Sequence, residues 1–329
     1  SLLSSRGRIP KRTSGDYAFW QGVLPGERAD LVWKGVLPYD ALPHFRDPPS
    51  GFIQNANDPP WLTTWPAVLR PSDYAAYVAP PPRMAWRPQH SLRQIKDRTG
   101  ISFDDLISLA HSEDSEMAAH ILPDLLKAAG DVDDPLITSA KEVLAKWDRR
   151  SNRNSRGTLL FEEWAGLMEA DRKQGFYAEP WDVNRPLDTP RGLADPERAV
   201  KILGDAARNV VERDGALDAA FGDRVRMRVG DHDVPATGGS NRLGSYLITW
   251  FQQDKNGMQT VTGGTTFMAA VHFGDRVKAR GILPYGNSSA PGSPYRGDQL
   301  QLHSDRQLRD IYFYPEDIAP NISKSEIVE

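Results

Sequence analysis

The sequence contains no cysteine, so disulfides, thiolate nucleophiles and thiolate metal sites are excluded together. That absence leaves the compartment open, because many exported proteins also lack disulfides. Long apolar runs are missing too. No stretch approaches the roughly 18 to 20 residues of a membrane-spanning helix, and the N-terminus carries no apolar signal core. The chain as it stands reads as soluble, or as a mature piece of something longer. Charge excess is a third absence: 40 basic groups face 44 acidic ones, a formal −4, which argues against a nucleic-acid binder or a basic membrane-surface protein. The phosphate-loop pattern G-x-x-x-x-G-K-[ST], the nucleophile elbow G-x-S-x-G and the zinc motif H-E-x-x-H do not occur. The 7 histidines lie far apart, none with a partner at helical metal-ligand spacing.

What is present is enough apolar material for a sizeable core, 39% of 329 residues with 9 tryptophans. Glycine and proline are in excess: 27 and 26 residues, about 16% of the chain against an average near 12%. The prolines cluster early (Pro48-Pro49, Pro59-Pro60, Pro80-Pro81-Pro82), interleaved with Trp20, Trp33, Trp61, Trp65 and Trp86. Such a stretch cannot be a helical domain, since an interior proline costs about 3 kcal/mol and pushes its predecessor towards extended backbone. Short strands are predicted at Asp30–Trp33 and Gly51–Gln54.

From Ser102 to Gly215 the period becomes helical. Ser102 with Asp105 forms a capping box, and Ile121, Leu122, Leu125 and Leu126 make an apolar stripe ending at Gly130. Leu136, Ile137, Ala140, Val143, Leu144 and Trp147 share a second face, and Leu159, Leu160, Trp164, Leu167 and Met168 a third. Asp195-Pro196 opens a fourth helix, with Val200, Leu203, Ala207 and Val210 or Val211 inward. These stripes read as core. Beyond Phe221 the pattern turns to strands at Val225–Val229, Tyr246–Phe251, Thr265–Phe273 and Arg276–Leu283. Phe-Gly-Asp-Arg-Val occurs at 221–225 and again at 273–277, too short a match for a repeat architecture. The order β, helix, β predicts an α+β fold in which strands from both ends share a sheet and the helices are inserted. The boundaries are 1–95 for strand and loop, 96–215 for the helical subdomain and 216–329 for the returning strands.

Three polar runs invite a site and read more simply as structure. Asp231-His232-Asp233 is a solvated turn beside Gly230, Asp131–Asp134 the cap of the next helix rather than a calcium loop, and Thr262–Thr265 a hairpin turn rather than a phosphate cradle. The segment Gly51 to Trp61 stands apart. A strand there would end with Asn55 and Asn57 at alternate positions, both amides on one side, before two prolines fix the exit. A carboxamide on a rigid strand end can supply an N–H to a developing oxyanion. Alternatively both asparagines satisfy loop backbone, and spacing alone leans that way.

At this segment the sequence resembles the penicillin amidase (penicillin acylase) family of N-terminal nucleophile hydrolases, most of all its acyl-homoserine lactone, aculeacin and cephalosporin acylase subgroup. The likeness is carried by Arg8-Ile9-Pro10-Lys11-Arg12, Gly22–Gly26, Trp33, Leu42-Pro43 and Phe52–Trp61. Val143–Asp148 continues it, followed by Tyr285–Ser288, Pro291–Pro294 and Asp298–Leu300. The resemblance implies part of a four-layer αββα sandwich that hydrolyses an N-acyl amide to an acid and an amine. An N-terminal serine attacks, with its own α-amine as base; an α-amine pKa near 8 suits that role. Asn57 aligns with the family's oxyanion-hole asparagine and Arg87 with an arginine supporting the site.

Residues 2 to 12 resemble a segment inside the family's β chain rather than the stretch after its serine, so Ser1 is not expected to be the nucleophile. The partner implied is the remaining acylase chain carrying that serine, in a heterodimer, with a small N-acyl amide (acyl-homoserine lactone, lipopeptide or β-lactam type) as substrate. No nucleic-acid or membrane partner is expected. No cofactor is expected; the family allows a structural calcium, for which the sequence offers no support. A periplasmic or secreted location is implied. Tyr295 stands where many relatives have histidine. The rival readings are a noncatalytic β-rich binding module, with Trp20, Trp33, Trp61 and Trp65 as a ring platform, and a degenerate structural homologue.

Overall fold

The computed structural model describes residues 2–4, 7–130, 132–170, 175–255 and 257–326. Ser1 and Asp131 lie outside the described residues, and with them the readings that fall on those two positions. Up to Ala85 the chain is mostly loop: strands β1 (Leu2–Ser4) and β2 (His44–Arg46) pair antiparallel, α1 (Tyr17–Gln21) is a short helix, and 3-10 turns form at 29–31, 39–41, 60–62 and 71–73. The two strands expected here are not strands. Asp30 lies in the Ala29–Leu31 turn, and residues 51–54 are unpaired. The second case has a clear cause. Phe52 O accepts from Ser50 Oγ (3.2 Å) and Thr64 Oγ1 (3.0 Å), and Gln54 N–H donates to Thr63 O (2.8 Å), so hydroxyls and a local turn satisfy the backbone instead of a neighbouring strand.

Helix α2 (Trp86–Ile95) interrupts what the sequence presents as strand and loop. Pro88 looks like a breaker, but it sits in the first turn, where its missing N–H would have no intrahelical partner anyway. Then come α3 (Phe103–Ala110), α4 (Glu116–Ala128), α5 (Pro135–Lys146) and α6 (Thr158–Ala170). A two-strand hairpin, β3 (Tyr177–Glu179) with β4 (Arg191–Leu193), precedes α7 (Pro196–Asp214). Their ends carry the expected signals. The Ser102–Asp105 capping box is complete, Asp134 and Asp195 each accept a backbone N–H ahead of a proline, and Gly215 closes α7 at φ 86°. The apolar stripes meet in one cluster built on Trp86, Met117, Ile121, Leu144, Phe161, Trp164 and Leu203.

Helix α8 (Phe221–Arg224) leads into β5 (Val225–Val229), followed by β6 (His232–Pro235), β7 (Thr249–Gln253) and β8 (Gln259–Gly264). These form a sheet in the order β6-β5-β8-β7, with β5 and β8 parallel and the other pairs antiparallel. A second sheet has the order β11-β10-β9, from β9 (Met268–Phe273), β10 (Val277–Ile282) and, after α9 (Leu300–Ser304), β11 (Arg309–Ile311). α10 (Pro315–Ile318) follows. The α+β character is thus present, but strands from the two ends share no sheet among the described residues. The early proline-rich segment keeps its strands short and spends its backbone groups locally.

Candidate active site

The Gly51–Trp61 loop is closed on itself. Asn55 Oδ1 accepts from Asn57 N–H (3.0 Å), Asn55 Nδ2 donates to Asp58 O (3.1 Å), and Asp58 Oδ1 accepts from Ala56 N–H (2.8 Å). Pro59-Pro60 then lead into a turn that buries Trp61 and Leu62, with Trp61 Nε1 donating to Pro80 O at 2.6 Å. The two asparagines therefore do not project together as they would from a strand. Asn55 serves the loop backbone, whereas Asn57 has φ 67°, a left-handed conformation that asparagine tolerates better than most residues. That twist sends the two amides to different partners.

Arg87, in the first turn of α2, completes the arrangement. Its Nη1 donates to Asn57 Oδ1 at 2.8 Å and to Ala56 O at 3.2 Å. With the amide oxygen engaged by a guanidinium, Asn57 must present Nδ2 on its other side. Nδ2 has no hydrogen-bond partner among the described residues, and Asn57 lines a pocket of about 990 Å³. The guanidinium lies 5.9 Å from the centre of the Tyr246 ring, and its Nε is buried without a hydrogen-bond partner among the described residues. Burial lowers the Arg87 pKa, opposed by Tyr246 and Asp58, and a guanidinium stays charged regardless. Burial also raises the Asp58 carboxyl, against the pull of the Ala56 N–H and Arg87.

Across the pocket stand Tyr246, Ile248, Trp250 and Phe267. Gly264 belongs to the same wall. At φ 136°, a Cβ there would lie 2.3 Å from Ile248 O, so only glycine lets the strand end pass. The run Thr262–Thr265 is thus a strand end packed on its neighbour, not the hairpin turn that its two glycines indicate. The strand patterns at Tyr246–Phe251 and Thr265–Phe273, together with that glycine pair, are the local signals for this wall. Nothing local in the sequence ties Tyr246 or Asp58 to Arg87, because their proximity arises only in the fold.

Other candidates fall elsewhere. Asp233 is bound by Arg226 Nε (2.6 Å) and Arg228 Nε (2.9 Å), and no group of three or more acidic or histidine side chains among the described residues is arranged to hold a metal. Tyr295 is 61% exposed and does not line the pocket. No helix among the described residues is long and apolar enough to cross a membrane. Trp61 lies in a core cluster against which Trp65 packs, Trp20 is half-buried and Trp33 is exposed. No two of these four rings pair among the described residues, which leaves the ring-platform reading without its platform.

The class defined by this fold and loop is an α+β chain presenting a guanidinium-held carboxamide to a pocket. The family model for penicillin amidase matches residues 2–320, and the chain belongs to that family. An acyl-homoserine lactone acylase, PvdQ, of Pseudomonas putida is 28% identical over 93% of this chain and 40% of its own length. Aculeacin-A acylase of Actinoplanes utahensis is 27% identical over 92% of this chain and 41% of its own. Among solved structures, the thermostable penicillin G acylase of Alcaligenes faecalis shares the fold. Its TM-score is 0.56 at 18% identity, covering 100% of this chain and 65% of that one. The chain thus spans about two fifths of the length of the curated relatives it matches.

Proposed function

We propose that this chain forms the oxyanion-binding side of an N-acyl amide hydrolase whose serine nucleophile stands at the N-terminus of another polypeptide or portion. In this reading the serine Oγ adds to the amide carbonyl carbon, and the carbonyl electron pair moves to oxygen. The hydroxyl proton passes through the serine's own α-amine to the departing amine as the C–N bond breaks, and water then hydrolyses the acyl ester. Asn57 Nδ2 donates to the oxyanion, and Arg87 holds the amide in the orientation that makes this donation available. The observation carrying the proposal is the 2.8 Å bond from Arg87 to Asn57 Oδ1, which leaves an oriented N–H donor at the pocket edge. The names of the relatives favour an N-acyl substrate, and the apolar side chains Ile248, Trp250 and Phe267 suit a longer aliphatic acyl group. A heterodimer exported to the periplasm or medium completes the proposal.

The test is Asn57→Ala in the assembled enzyme, with turnover of a long-chain N-acyl substrate measured. Loss of one oxyanion donor should lower kcat by about 100- to 1000-fold. Wild-type turnover in that variant would remove Asn57 from the role. Mass determination of every polypeptide in the purified enzyme separates an active assembly from a degenerate homologue, since only the former needs a partner chain that begins with serine.

A further inference from the structure

Arg87 can hold Asn57 only if α2 holds Arg87, and α2 is poorly equipped to hold itself. It has 10 residues, its N-cap Ala85 offers no side-chain hydrogen bond, and no acidic residue stands in its first turn. Its fixation comes from outside. Glu116, the first residue of α4, is buried with its carboxylate turned to α2. Arg93 Nε donates to its Oε1 at 2.8 Å, and His90 Nδ1 lies 3.3 Å from Oε2. His120, one turn along α4, places Nε2 3.3 Å from Oε1. The other nitrogen of His90 is 2.8 Å from Ser112 Oγ, so that ring is held at both ends. Removing one partner from a buried charged cluster leaves the others uncompensated, which makes the cluster intolerant of displacement.

We propose that Glu116 is a positioning residue for the oxyanion site. By clamping His90 and Arg93 it sets the place of α2, and through α2 the reach of the Arg87 guanidinium to Asn57. The proposal rests on the reading of Asn57 as oxyanion donor. Displacements of about 1 Å at distant supports are enough to cost on the order of 100-fold in rate. Glu116 itself touches no substrate, so its effect must pass through Arg87.

A double-mutant cycle in the assembled enzyme tests this. Glu116→Gln should lower kcat on the order of tenfold with KM unchanged, and the loss should vanish when Arg87 is already Gln. Arg93→Lys, at a side chain 41% exposed, repeats the cycle with a gentler change should Glu116→Gln fail to fold. A wild-type kcat in both variants, a change confined to KM, or a loss of equal size in the Arg87→Gln background would each overturn the positioning role. Asn57→Ala measured alongside separates the two levels. If it retains wild-type turnover, the oxyanion reading falls and this inference with it; if it loses turnover while the cycle is additive, only the role of Glu116 falls.

Discussion

Between residues 7 and 85 the chain is held by prolines, short turns and side chains that bond to their own loop, whereas from Trp86 to Asp214 it is held by apolar helix faces packed on one another. The first kind of order fixes individual backbone groups and can hold one residue in a left-handed conformation, as it does Asn57. The second kind fixes whole elements but has no such control over a single amide. Helix α2 belongs to both, since Trp86 sits in the helical cluster and Leu92 in the cluster of Trp61 and Leu62. The site lies where the two meet. The loop supplies the carboxamide of Asn57, and the helix supplies the Arg87 guanidinium bound to it.

The difference is most severely tested in the bundle. Trp164 is fully buried between Phe161 and Phe176, and its Nε1 donates to Ala199 O at 3.0 Å. Trp164→Ala should cost about 4 kcal/mol of stability, read from urea unfolding, because the space it leaves is enclosed by helices that cannot collapse into it. A loss below about 1 kcal/mol would mean that this cluster does not carry the helical half as described.

The helices were legible because their signals are local: the Ser102–Asp105 box, the Asp134-Pro135 and Asp195-Pro196 starts and the Gly215 stop all lie within a turn of what they govern. The loop was not, because its hydrogen bonds run from Gln54 to Thr63 and from Trp61 to Pro80, beyond any short-range period. Helix α2 was hidden by Pro88, which breaks helices in their interior but not in their first turn. Asn57 and Arg87 were named through family resemblance rather than spacing. Spacing treated Asn55 and Asn57 alike, and it is the φ of Asn57, invisible in the sequence, that separates them.

Acid should divide two buried carboxylates, Glu116 of the bundle and Asp58 of the loop, by the sign of their response. Burial alone would raise the Glu116 carboxyl, but the hydrogen bonds from His120 and His90 and the charge of Arg93 hold it far below the ordinary glutamate value of 4.5. A carboxylate depressed in the fold adds stability above its unfolded pKa and loses it as pH falls towards the folded one, so the stability that Glu116 contributes should be lost progressively below pH 4.5. In the loop, burial leaves Asp58 raised above 3.8. Its ionisation therefore costs stability above that value, and acid relieves the cost. In unfolding followed from pH 6 to 3, Glu116 should contribute a loss on the order of 2 kcal/mol at the acid end. Glu116→Gln should flatten that loss and Asp58→Asn should steepen it. Parallel slopes in the two variants would erase the distinction between the carboxylates.

The finest comparison pairs two side chains that perform the same local task in different surroundings. Asp195 accepts Arg198 N–H at 2.9 Å to start α7, and Asn55 accepts Asn57 N–H at 3.0 Å to close the loop. Replacing either with alanine frees one backbone donor, so both variants should lose about 1 kcal/mol by urea unfolding. Their effects on turnover should nevertheless part. Without Asp195 the helix frays at an end that does not line the pocket, and kcat stays at the wild-type value. Without Asn55 the left-handed turn at Asn57 loses its closing bond, the amide no longer meets Arg87 at one fixed angle, and kcat should fall roughly tenfold. Equal turnover in the two variants would show that Arg87 alone orients the amide, and that the closure of the loop contributes stability without placement.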